Sequence, residues 1–418
     1  MTARLWTTSL ALAFTVVAAT QGNVQVAKAE EMKAEVIHWW TSGGESAAVK
    51  VFAEQFAKAG GTWVDTAIAG GVNARTAAIN RTVGGTPPTA MQFNTGKQFD
   101  DLVENDLLRD VDQLATEQKW RSMMPEAIVN AATRNGKMFA VPVDIHGQNW
   151  LWMSKSALAK AGASEPTDWD DVFPALDKLK AAGLIPLAFS GQKVWERNLF
   201  NAVLVGKGGN ALWVAIYGKR DTAAAMSAGF KAVAETYGRL RGYVDPGAPG
   251  RNWNDATNLV IQGKAGMQIM GDWAKGEFAA AGQTAGKEFG CTILSKEGGY
   301  VMGGDVFAFP KLKDPEQQKA QLLLAKTMLD PDTQIRFAQK KGAIPVRLDL
   351  DVSSLDACAQ KAMKLLAEKS HQVPAQELLS PPAMTGAIED VISQYWNTPS
   401  MTTDAFVAKV AAVLKDPY

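Results

Sequence analysis

The sequence predicts an α/β protein, and three observations carry that expectation. Strand-like and helix-like runs alternate along the 418 residues instead of segregating, as they do in α/β architectures. Hydrophobic residues make up 47% and charged residues 21%, which is enough apolar material for a packed core. Two stretches, residues 36–45 (VIHWWTSGGE) and 265–273 (AGMQIMGDW), each put tryptophan where a strand gives way to a helix beside a glycine-containing turn. Corners at the carboxyl ends of strands are where α/β proteins hold small ligands.

Taken in order, residues 35–40 read as a strand. Residues 47–58 carry Val49, Phe52, Ala53 and Phe56 at helical spacing, and Gly60-Gly61 stops the helix. Residues 62–69 are β-rich and 73–83 helical. The loop Gly84-Gly85-Thr86-Pro87-Pro88 feeds a short buried strand at 89–93, then the turn Asn94-Thr95-Gly96, then a helix at 99–105. Residues 136–154 (GKMFAVPVDIHGQNWLWMS) surround Pro142 with apolar strand residues, break for polar ones, and resume as a β-run at Asn149. Such a crossing suits a connection between lobes. Residues 167–182 form a helix with Trp169, Val172, Leu176 and Leu179 in step; 184–190 is a strand and 230–243 a helix.

The second half repeats the first corner. Residues 255–262 are helical, 265–270 a strand, and Gly271-Asp272-Trp273 opens the next helix, with Asp272 the expected N-cap. Residues 300–310 (YVMGGDVFAFP) run through a Gly-Gly-Asp turn into a β-segment. Helices are expected at 314–330 and 331–341, followed by a turn at 342–346 and helices at 355–370, 383–395 and 402–414.

Lys plus Arg equals Asp plus Glu at 43 each, without the basic excess of a nucleic-acid footprint, so no nucleic-acid partner is expected. The N-terminus reads as a cleavable secretory signal: Arg4, an apolar run from Leu5 to Ala19, and the small-x-small site Ala27-Lys28-Ala29, with cleavage after Ala29 and a soluble periplasmic protein as the result. The run is shorter than the ~20 residues of a membrane-spanning helix. Cys291 and Cys358 are the only cysteines, and export favours a disulfide between them over two separate buried thiols. The scattered histidines and cysteines make no metal site and no cofactor is expected. Gly206-Lys207-Gly208-Gly209 does not fit a dinucleotide fingerprint, and G-x-S-x-G, Walker and H-E-x-x-H motifs are absent from the sequence.

The indole faces and neighbouring carboxylates suit a neutral, hydroxyl-rich ligand such as a sugar, because an indole covers the apolar C–H face of a pyranose while polar groups take its edge. The bland alternatives are specific. Trp39 and Trp40 are both core if buried. Glu45 completes a capping box with Ser42. Asp305 is a turn residue, Lys341 a helix C-terminal cation, and His146 packs in the crossing.

Five segments carry a family resemblance: HWWTSGGE (38–45), AVPVDIHGQNWLW (140–152), GMQIMGDWAKGEF (266–278), GGDVFAFP (303–310) and KKGAIPVR (340–347). Together they resemble the extracellular sugar-binding proteins of bacterial ABC importers, in particular the glucose/mannose-binding branch. The resemblance implies a periplasmic-binding-protein fold, with two α/β lobes joined by hinge crossings around a central cleft. On that plan residues 1–29 are the signal peptide. Residues 30–143 and 305–347 build the N-terminal lobe, and 144–304 and 348–418 the C-terminal lobe.

The resemblance also implies a monomer that binds a monosaccharide, glucose or similar, without chemistry and hands it to the membrane subunits of an ABC permease. Trp40 and Trp273 would be aromatic platforms with Trp39 beside them. Glu45, Asp305 and Lys341 would bond sugar hydroxyls, and Gln92 matches a polar position at the end of the third strand. The chain departs from the family in two places. Asn94 stands where a basic residue is usual, with Lys97 a substitute from the same turn. No histidine follows Val373-Pro374-Ala375, which leaves His371 just before it. The alternatives are an exported glycosidase using Glu45 and Asp305, a carrier for a polyol or disaccharide, and a binding protein that reports to a chemoreceptor.

Overall fold

The computed structural model describes residues 1–2, 32–295 and 297–418. The expected signal segment, apart from its first two residues, and its cleavage site lie outside the described residues.

Two sheets anchor two hydrophobic cores. The first sheet orders its strands Gly61–Ala67, Met32–His38, Ala90–Asn94, Asp305–Pro310 and Leu108–Arg109, with Ala140–Pro142 also pairing to Asp305–Pro310. Met32–His38 runs parallel to both neighbours, and Asp305–Pro310 runs antiparallel to Ala90–Asn94. The second sheet orders Ile185–Leu187, Ala265–Met270, Trp150–Ser154 and Phe289–Ile293. A third sheet, Ile344–Pro345, Asp144–Gly147, Tyr300–Gly303 and Gln372–Pro374, lies on the chain segments that pass from one to the other. Phe52, Phe93, Phe307 and Phe337 belong to the first core. Leu151, Leu176, Trp213, Phe230 and Phe406 belong to the second.

The helices follow from ordinary local chemistry. Gly43–Lys58 starts at a complete Ser42/Glu45 capping box. Pro331–Lys341 starts at Asp330 with proline in its first turn and ends at Gly342 in the left-handed region, the asymmetry that proline and glycine favour. Cys291, in the second sheet, is disulfide-bonded to Cys358 at the start of helix Ala357–Leu366.

Two expectations need correction, and one helix has no counterpart in the sequence reading. The first strand stops at His38, before both tryptophans. Side chains take the amides that a longer ladder would use: Trp39 N donates to Gln92 Oε1 (3.0 Å) and Trp40 N to His38 Nδ1 (3.2 Å). Helix Lys193–Tyr217, broken at Gly209, was not read from the sequence, because its glycines obscure a segment buried on several sides. Asp272 does not cap the helix Ala274–Ala280. Its carboxylate is drawn to a buried histidine instead.

Candidate functional site

The candidate residues converge where the carboxyl ends of Met32–His38 and Ala90–Asn94 meet the crossing segments. Its centre is a buried ionic cluster. His146 Nδ1 lies 2.5 Å from Asp272 Oδ1 and its Nε2 lies 3.0 Å from Asp305 Oδ2 and 3.3 Å from Asp144 Oδ2. Asp272 also accepts from Gly147 N (2.7 Å) and Tyr300 Oη (3.3 Å), and Asp144 accepts from Asp305 N (2.7 Å). Lys341 Nζ stands 3.8 Å from Asp305. The cluster therefore ties residues of the first and third sheets to the turn that follows strand Ala265–Met270 of the second.

Its electrostatics follow from burial and close pairing. Burial alone would lower the His146 pKa, but Asp144 and Asp272 outweigh it and push the imidazole up to about 10. Asp144 is pushed up to about 7, chiefly by burial, with Asp305 adding to it. Burial also raises Asp305, yet the His146 hydrogen bond and charge prevail and hold its pKa below the usual carboxylate value. For Lys341 burial is outweighed by Asp305 and Glu45, which raise it. Donor atoms of Asp144, His146 and Asp305 come within 4.8 Å of one another, but the positive charge such a set would attract is already supplied by His146 and Lys341.

Around this centre the structure brings together Trp39, Trp40, Glu45, Gln92, Asn94, Trp273, Asp305 and Lys341, but not Lys97 or His371. Trp40 is 1% exposed and packs on Phe52, Phe307 and Phe337, with Lys341 Nζ 5.4 Å from its ring centre. Its environment is thus core on one side and cation on the other, not an open platform. Trp39 is the partly exposed member of the pair, with the Arg75 guanidinium 5.5 Å from its ring centre. Gln92 is buried and fixes the Trp39 backbone. Asn94 Nδ2 donates to Asp305 Oδ1 (3.1 Å).

Glu45 is buried and plays its capping role, with Oε2 3.1 Å from Ser42 Oγ; burial raises its pKa and Lys341 offsets part of that. Trp273 is partly exposed and stands edge-on to His146, with ring centres 5.2 Å apart. Trp195 flanks it at 5.9 Å. The indole nitrogens of Trp40 and Trp273 and the Thr95 hydroxyl are buried without a hydrogen-bond partner. Unpaired donors of this kind cost roughly 1–3 kcal/mol each unless something accepts from them.

One backbone approach locks the Trp273 corner against the first helix. A side chain at Gly44 would meet the Gly276 carbonyl carbon at 2.5 Å. The absence of one lets Gly44 N donate to Glu277 Oε1 (2.8 Å).

Several site residues escaped the sequence reading. Arg75 and Gln98 complete the Asn94 environment, with Arg75 Nη1 and Gln98 Nε2 3.4 Å and 3.3 Å from Asn94 Oδ1. Glu377, just past the Val373-Pro374-Ala375 run, is partly buried in the field of Arg75 and Arg197 and accepts from Gln148 Nε2 (2.6 Å). Of the two substitutes considered from sequence, Lys97 is exposed, and His371 pairs with Glu368 at 3.5 Å. Arg75 and Glu377 occupy the neighbourhoods where the missing cation and histidine were sought. Their only sequence signal was the family departure itself.

Residues 27–362 match the family described as bacterial extracellular solute-binding protein. A probable sugar-binding periplasmic protein of Brucella suis biovar 1 (strain 1330) is 36% identical over 401 residues, covering 94% of this chain and 94% of that protein. Among solved structures, a chitin oligosaccharide binding protein aligns with a TM-score of 0.78 at 17% identity, over 92% of this chain and 98% of the other. AcbH, a solute receptor with an exclusive preference for β-D-galactopyranose, aligns with a TM-score of 0.75 at 17% identity, over 91% and 97%. These two likenesses bear on the fold, which is the two-lobed periplasmic-binding-protein architecture expected from the sequence.

Proposed function

The chain belongs to the bacterial extracellular solute-binding protein family, and from that premise we propose that it captures a monosaccharide, glucose or similar, in the periplasm and delivers it to an ABC-type importer. The observation that carries the reading is Trp273. It is a partly exposed indole with an unpaired Nε1, set edge-on to the His146–Asp305 cluster. An apolar face beside unpaired donors and fixed charges is what a single sugar ring requires.

In this reading Trp273 and Trp39 cover the ring faces and Trp40 forms the floor beneath Lys341. Glu45, Gln92, Asn94, Asp305 and Lys341 take the hydroxyls. Residues 30–143 and 305–347 make one lobe, 144–304 and 348–418 the other. Trp39 and Asn94 adjoin the first sheet, whereas Trp273 follows a strand of the second. A sugar touching both gains affinity only when the lobes close, and that difference drives closure. The protein is exported by cleavage after Ala29, acts as a monomer and catalyses nothing.

The test is calorimetric titration of ligand-stripped protein with glucose, galactose and mannose. Saturable one-to-one binding of at least one supports the reading. Steady turnover of a chromogenic glycoside, abolished by Asp305→Asn, contradicts it in favour of a hydrolase.

A further inference from the structure

We propose that the sugar taken by this cleft carries a carboxylate, as a hexuronate does, and that Arg75 is the residue that reads it. The inference rests on the sugar-binding reading above and narrows its ligand class.

Arg75 lies in helix Gly71–Val83, whose amino end faces Trp39. Among the described residues its guanidinium has one hydrogen-bond acceptor, Asn94 Oδ1, at 3.4 Å, and it lies over the Trp39 ring. Among the described residues no carboxylate stands within the 4.0 Å of an ion pair to it. Every acid nearby is already engaged. Asp305 is held by His146, Asn94 and Lys341. Glu377 accepts from Gln148, and burial pushes its carboxyl up toward the neutral form. The neighbouring cation, Arg197, is itself satisfied by Glu389 at 2.6 Å. Arg75 is the guanidinium left over, and burial together with the like charge of Arg197 lowers its pKa.

A guanidinium has five N–H donors in a planar fork. Left partly buried with one long hydrogen bond, it bears a desolvation cost that a carboxylate bound in bidentate fashion would relieve. The setting supports this use. Asn94 links Arg75 to Asp305, the proposed hydroxyl reader, and the Arg75 guanidinium lies over the Trp39 ring. The backbone makes room for the fork, since a side chain at Gly71 would sit 3.0 Å from Arg75 Nη1. Glu377 and Asp305 offset part of the Arg75 charge through space without pairing with it, and a hexuronate would supply the bidentate partner that a neutral hexose of the same ring size lacks.

The experiment titrates the ligand-stripped exported protein with glucuronate, galacturonate and mannuronate, each beside its parent hexose. At least one uronate should bind about tenfold or more tightly than its hexose, the scale of a charge-assisted pair over a neutral one. That preference should shrink when NaCl is raised from about 0.05 to about 0.5 M. Arg75→Gln should collapse the uronate-to-hexose ratio toward one, and Arg75→Lys should retain part of it. Circular dichroism and melting curves establish that both variants fold. Gly71→Ala, which displaces the fork without removing it, should also lower the ratio. If every hexose matches or exceeds its uronate, or if the ratio survives Arg75→Gln, the acid-reading role is overturned and the sugar-binding reading stands. If none of these sugars binds, both are overturned.

Discussion

His146 Nε2 and Asp305 Oδ2 meet at 3.0 Å where the crossing segment Asp144–Gly147 passes the start of strand Asp305–Pro310, and the other nitrogen of the same ring holds Asp272. One imidazole thus joins the polar centre of the first sheet to the Trp273 corner of the second. Replacing it leaves three buried carboxylates, Asp144, Asp272 and Asp305, short of a partner. His146→Gln should destabilise the fold by about 3–5 kcal/mol, measured by urea unfolding near neutral pH.

The same group sets a pH dependence. The His146 pKa rises from an unfolded value near 6.5 to about 10 on folding. Its contribution to stability is therefore complete below about pH 6.5 and is lost as pH rises through about 10. Asp144, raised to about 7, acts with the same sign at lower pH. Unfolding free energies at pH 6, 8 and 10 should fall steadily in the native protein. The decline between pH 8 and 10 should be markedly smaller in His146→Gln.

Trp273 should matter more for ligand than for fold. Because it is only partly buried, Trp273→Ala should cost less than the about 3–5 kcal/mol of a fully buried tryptophan. Its loss from a binding platform should weaken sugar affinity by roughly 2 kcal/mol or more. Calorimetry and thermal melting on one preparation separate the two effects. Unchanged affinity would remove Trp273 from the site.

Glu45 has two roles to separate. Its carboxylate completes the Ser42 capping box, a geometry glutamine also satisfies. Glu45→Gln should therefore keep stability within about 1 kcal/mol while lowering sugar affinity. An unchanged affinity would assign Glu45 to the cap alone.

The Cys291–Cys358 bridge spans a sequence separation of 67 residues. Cross-links of that span restrict the unfolded chain, and removing one costs about 2–5 kcal/mol. Melting with and without reductant should show the loss, and the Cys291→Ser/Cys358→Ser double variant should match the reduced protein.

Legibility in the sequence tracked the range of the forces involved. The strand Ala265–Met270 and the helix Pro331–Lys341 were read with their observed bounds, because proline, glycine and apolar spacing are local signals. The helix Lys193–Tyr217 was missed: tertiary burial carries it past Gly206 and Gly208, although the chain does break at Gly209. In the site, the tryptophans were visible because they follow strands at turns, and Asp305 because it opens a strand after the Gly303-Gly304 turn. Asp272 was misread as a cap because its true partner, His146, lies 126 positions away in sequence, and no spacing rule reports a charge pair across a crossing. Arg75 lacked any local signal: only the fold sets its guanidinium beside Trp39 and Asn94.

The measurement that tests the central claim most directly is a thermal-shift screen of ligand-stripped protein. The panel is glucose, galactose, mannose, their uronates, xylose, sorbitol, trehalose and maltose. A cognate ligand at about 1,000 times its dissociation constant stabilises the native state by roughly 4 kcal/mol, a shift read without ambiguity. The account predicts a large shift with a single-ring sugar and none with trehalose or maltose. A shift confined to the disaccharides, or none across the panel, would contradict capture of one sugar ring between the lobes.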